Sequence, residues 1–157
     1  IRLLGRTWRD EQTALVKATS DVVDLAPALL AATGRERAIL LYVDLETFLA
    51  TMLRDHTRQE LALFAQEFRI RDFRRLVPEA PAAVTDYTDG RLAALTWLLH
   101  VHSMAKVLDD PGTGDRAVAL SFDGYLSAPA AALSALADFL VELTDSFRAL
   151  PPDLLEF

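Results

Sequence analysis

The sequence predicts an α/β fold, a largely parallel sheet flanked by helices with a helix-rich middle section, and three observations carry that prediction. Segments Ala14–Ala18, Ala38–Val43 and Ala117–Phe122 are apolar almost throughout instead of alternating, the pattern of strands covered on both faces. The run Arg37 to Arg54, RAILLYVDLETFLATMLR, passes from apolar strand into amphipathic helix with almost no loop. Between that run and the last strand the apolar residues recur at helical spacing.

The elements follow in order. Ala14 to Ser20, ALVKATS, reads as a short strand ending in small polar residues. Asp21 or Asp24 then caps a helix whose first turn tolerates Pro27, whose apolar face includes Leu25, Leu29 and Leu30, and which Gly34 closes. With strand Ala38–Val43 this makes a βαβ unit, whose strands should be parallel and whose crossover should be right-handed. Leu45 to Asp55 and Arg58 to Leu76 are expected as helices, the second with a stripe of Leu61, Phe64, Phe68 and Phe73. PEAPAA at Pro78 to Ala83 breaks the pattern. A long helix is expected from about Asp89 to Leu108, with Leu92, Leu95, Leu99 and Met104 on or near one face. DDPGTGD at Asp109 to Asp115 is a surface turn, RAVALSF at Arg116 to Phe122 a further buried strand, and Pro129 opens a helix running to about Leu143.

Composition sets the outer limits. With 52% apolar residues in 157, the chain can form one core and bury roughly 68–70% of its unfolded surface, so a single domain over 1–157 is the expectation. A net charge of −7 repels phosphate backbones and anionic bilayers at long range, which argues against nucleic-acid and membrane partners. The absence of cysteine excludes thiolate catalysis and disulfides, and fits a cytoplasmic setting. The apolar runs stop short of membrane-spanning length.

In open α/β sheets the carboxyl ends of parallel strands, facing helix N-termini, are where anionic ligands bind. Lys17 stands at one expected strand end, where it either neutralises a sulfate or phosphate oxygen or is an ordinary solvated terminus. Thr51 lies two turns into the next helix, a phosphate donor or a packed side chain. Arg69, Arg71, Arg74 and Arg75 form a basic cluster, either an anion patch, with Arg71 and Arg74 or Arg75 on one helix face, or, the preferred reading, a solvated face laced with Asp72 and Glu67. His100 and His102 point about 200° apart on a helix and cannot share one metal ion; no metal site is expected. The GTG of the Asp109–Asp115 turn precedes a strand and lacks the Lys-Ser/Thr of a nucleotide loop, and Asp123 reads as a cap or turn residue.

The order VKATS, helix, RAILLYVDLETFLATML, helices, then RAVALSFDGYLSAPAAALSALADFL resembles the central and C-terminal part of the P-loop-type sulfotransferases, over about Ala14 to Leu140. The resemblance implies a P-loop sulfotransferase-like fold, the cofactor 3′-phosphoadenosine 5′-phosphosulfate, and a hydroxyl or amine acceptor of unknown identity. It also implies an N-terminal strand-loop-helix, with the phosphosulfate loop, ahead of the first residue matched. Lys17 matches the lysine of the family's Lys-small-His motif and takes the catalytic role, while its histidine falls on Thr19, no base near neutral pH. After Leu41-Tyr42 the family places a phosphate-gripping arginine, an acidic or amide residue, and a serine eight positions after the arginine. Val43, Asp44 and Thr51 stand there, so cofactor contacts fall to Asp44 and Thr51. Losing the arginine removes a charge-assisted hydrogen bond of about 1.5–3 kcal/mol. The family's Arg-Lys-Gly clamp has no counterpart after Leu140. Two function classes follow: a sulfotransferase-like transferase, or a degenerate non-catalytic relative or α/β module acting by protein contact.

Overall fold

The computed structural model describes residues 14–18, 20–32, 36–65 and 67–140. The chain divides into two compact units: one holds the described residues before Tyr42 and after Lys106, the other is Tyr42–Lys106.

In the first unit a 3-10 turn, Ser20–Leu25, leads into the short helix α1, Ala26–Leu30. Strand β1, Ala38–Tyr42, pairs with β2, Ala117–Ser121, in a two-stranded parallel sheet. Parallel neighbours cannot be joined by a hairpin, and the helical unit supplies the crossover segment between them. β2 passes directly into α6, Phe122–Ser127, capped by Ser121, whose Oγ accepts from the Gly124 N–H at 3.1 Å. α7, Pro129–Leu140, follows with proline at its first position. The buried residues here are Val23, Ala26, Leu30, Leu40, Val107 and Ala117, with Thr113.

Arg116 ties three parts of this unit together. Its guanidinium donates to the carbonyl of Leu30 at the end of α1, to Glu36 O at 3.4 Å and to Gly112 O at 3.0 Å. The turn before β2 is tight: Gly112 N–H donates to Asp110 Oδ1 at 2.7 Å, and a Cβ on Gly114 would lie 2.2 Å from the Leu108 carbonyl oxygen. Only glycine allows that approach.

The second unit is helical. α2, Leu45–Asp55, turns Phe48, Leu49 and Met52 inward, and α3, Arg58–Phe64, opens with a capping box in which Thr57 N–H donates to Glu60 Oε2 at 2.7 Å. α4, Glu67–Leu76, brings Ile70 and Phe73 to the core, and the long α5, Asp89–Asp109, brings Leu92, Leu95 and Leu99. Those three recur at i, i+3 and i+7, one face of a helix.

The differences from the sequence expectations are physical. Ala14–Ala18 is not a strand; Leu15 is 85% and Val16 50% exposed, so neither burial nor a ladder of hydrogen bonds offsets the entropy of fixing this segment extended. The sheet joins two of the three expected strands. The single helix expected over Arg58–Leu76 is broken after Phe64, where Ala65 is fully buried. The break shifts the helical phase, so Ile70 and Phe73 reach the core while Phe64 stays at the surface, edge-on to His56 with ring centroids 5.2 Å apart. The first helix is mostly 3-10, and the N-cap of its α-helical part is the exposed Leu25, which makes no side-chain cap, not an aspartate as expected; the Asp21 side chain lies outside the described residues. Gly34 and residues 141–143 lie outside the described residues.

Candidate functional site

β1 ends at Tyr42 and α2 begins at Leu45, so two residues, Val43 and Asp44, carry the chain from strand to helix. Asp44 is the N-cap with extended backbone, φ −61° and ψ 147°, and its carbonyl accepts the first helical bond from Phe48 N–H at 2.9 Å. The junction is held by Trp97, whose Nε1–H donates to the Val43 carbonyl at 2.7 Å. Val43 itself is half-buried. A helix's first-turn N–H groups lack partners within the helix and its dipole is positive there, so this end attracts negative charge. The chain's own Asp44 and Glu46 already bring two carboxylates to it.

Asp44 and Thr51 are brought onto one side of α2, seven residues or two turns apart, a separation of roughly 10 Å along the axis. Thr51 is exposed, not packed. Lys17 is exposed and sits in a segment without regular structure, so it is not at a strand's carboxyl end as expected; Thr19 lies outside the described residues. Asp123 falls in the first turn of α6, and the capping expected of it is done by Ser121.

The arginine cluster separates into different roles. Arg75 and Arg71 reach Asp72 at 2.7 and 3.9 Å on an exposed face, the solvated arrangement expected. Arg69 instead is half-buried against α5, its Nη1 3.0 Å from His100 Nε2. A guanidinium has no acceptor, so the imidazole nitrogen facing it accepts and is unprotonated. His100 is thus a partner of Arg69.

Residues that the sequence reading did not connect form an open apolar groove of about 280 Å³ in the helical unit. Arg91, Leu95 and Leu98 contribute from one face of α5, Phe73 from α4, and Pro81 and Tyr87 from the segment between. The Tyr87 hydroxyl donates to the Pro81 carbonyl at 2.8 Å, pinning that segment. Burial pushes this hydroxyl above the usual tyrosine range, and the charges of Arg74, Asp86 and Arg91 also act on it. The signal in sequence was the i, i+3, i+4, i+7 series Arg91, Ala94, Leu95, Leu98; what it faces is set by tertiary packing.

No protein-family model, curated protein or solved structure matches this chain. Among the described residues, no helix is long and apolar enough to cross a membrane.

Proposed function

We propose that the chain is a sulfotransferase-like domain that takes 3′-phosphoadenosine 5′-phosphosulfate and passes its sulfuryl group to a hydroxyl or amine of a small-molecule acceptor. The observation that carries this reading is β1 entering α2 through two residues, so that a strand's carboxyl end and a helix N-terminus adjoin along the chain, an arrangement that suits a nucleotide phosphate. It supports the resemblance without depending on it.

The residues divide by charge. Thr51 donates its hydroxyl to a nucleotide phosphate, while Asp44, an acceptor only, takes hydrogen bonds from hydroxyl or amine donors and not from phosphate oxygens. The charge-neutralising role of Lys17 on the transferred group rests on the resemblance alone, since Lys17 is exposed in a segment without regular structure. The acceptor oxygen or nitrogen attacks sulfur in line, the bond from sulfur to the bridging phosphate oxygen breaks, and adenosine 3′,5′-bisphosphate leaves. The acceptor's proton goes to a base other than Thr19, whose hydroxyl cannot take it near neutral pH. On this reading the protein works in the cytoplasm, which a chain without cysteine suits.

A second reading, a non-catalytic relative or a module acting by protein contact, is favoured by one observation. Asp44 and Glu46 place two carboxylates where the phosphate would sit, and Val43 supplies no cation against them. Calorimetric titration with adenosine 3′,5′-bisphosphate separates the two. Saturable binding with Kd in the micromolar range, about −8 kcal/mol, supports the transferase, and no binding heat at millimolar nucleotide supports the contact module.

A further inference from the structure

The groove between α4 and α5 combines an apolar floor with positive charge at its edge. Phe73, Leu95 and Leu98 form the floor, and Leu98 is 40% exposed, a leucine that an occupant would remove from water. Arg91 lines the same groove, and Arg74 follows Phe73 on α4, close enough to act on the Tyr87 hydroxyl by charge. Among the described residues neither guanidinium has an ion-pair partner, whereas Arg54, Arg58, Arg71 and Arg75 all do. In a chain of net charge −7, two arginines without an ion-pair partner among the described residues, set against the one carboxylate of Asp86 that also acts on the Tyr87 hydroxyl, leave a local excess of positive charge beside the groove. Arg91 also lies in the first turn of α5, where the helix dipole is positive and disfavours a cation. An anion there would relieve both charges, and Asp89, the acidic residue of that turn, is engaged by Arg58 at 2.8 Å.

We propose that this groove binds an amphipathic carboxylate, its acyl or aryl body lying on Phe73, Leu95 and Leu98 and its charge meeting Arg91, with Arg74 in support. The volume, about 280 Å³, is at the small end of ligand sites, which suits a single acyl chain or small ring system. Arg91 orients the ligand, since a guanidinium matches a carboxylate with two parallel hydrogen bonds. The site stands apart from the nucleotide reading: it uses none of Lys17, Asp44 or Thr51, and neither proposal fails with the other.

The test is calorimetric titration of the full chain with decanoate, below its micellar range, and with decanol as the uncharged counterpart. Saturable binding of one decanoate per chain is expected, with decanol weaker by about tenfold, the worth of one charge-assisted hydrogen bond. Arg91→Gln should weaken decanoate by about tenfold and leave decanol unchanged. Leu98→Glu, at an exposed position, should abolish binding without lowering the melting temperature, and Arg71→Gln should bind as the parent does. Decanol binding as tightly as decanoate, an Arg91→Gln variant that binds decanoate unchanged, or no saturable decanoate binding would each overturn the proposal.

Discussion

Val43→Arg places a guanidinium at the strand-to-helix junction, and the structure fixes what it should do. Val43 is half-buried, so an arginine stem can lie along the surface with its head in water. The Trp97 hydrogen bond is to the backbone carbonyl of residue 43, which the substitution leaves in place. The domain should therefore stay folded, with the melting temperature shifted by only a few degrees. A new charge-assisted hydrogen bond to a nucleotide phosphate is worth about 1.5–3 kcal/mol, or roughly 10- to 140-fold in Kd. Asp44 and Glu46 compete for the same guanidinium, so the lower end, about tenfold, is expected. The assay is calorimetric titration with adenosine 3′,5′-bisphosphate beside a thermal melt, and Thr51→Val added to Val43→Arg should cancel part of the gain, because both groups would share one phosphate. A folded Val43→Arg protein with unchanged nucleotide affinity refutes the reasoning, as does one that unfolds from a buried, unpaired charge.

Two further outcomes concern stability. Hydrogen bonds from the Thr57 backbone N–H, then from its hydroxyl, hold the Glu60 carboxyl below the usual carboxylate range. A depressed folded pKa means that the capping box stabilises above the unfolded value of about 4.3 and is lost as pH falls through the folded one; melts of wild type and Glu60→Gln should differ at pH 7 and converge in acid, and a gap independent of pH would count against the cap. Arg116→Met leaves three backbone carbonyls without their shared donor and should cost about 1.5–3 kcal/mol in urea denaturation. Arg116→Lys should recover only part of this, since an ammonium does not reproduce the planar fork; an unchanged midpoint in Arg116→Met would show that the clamp contributes nothing.

What was legible in the sequence was local. The RAILLYVDLETFLATMLR run shows strand passing into helix with almost no loop, and the structure has β1 and α2 there, with Val43 in the junction and not in the strand. The α5 stripe and β2 were legible for the same reason: periodicity or a continuous apolar run is written in consecutive residues. Strand pairing is not. Ala14–Ala18 has the composition of a strand, yet nothing local states whether another strand lies beside it. The break between α3 and α4 escaped notice because no Gly or Pro marks it. Arg69 looked like its neighbours until His100, 31 residues on, separated it from them. At the candidate site the same division holds: Asp44 and Thr51 share a side of α2 because the helix dictates it, whereas Lys17 was assigned to a strand end that did not form.

The central claim is that a nucleotide binds at the β1–α2 junction, and amide hydrogen exchange of the full chain with and without adenosine 3′,5′-bisphosphate tests it most directly. The account predicts slower exchange across the first turn of α2, from Leu45 to Phe48, with α4 and the apolar groove unchanged. Nucleotide at millimolar concentration that leaves the exchange of this turn unaltered, or that protects only residues elsewhere, would contradict it.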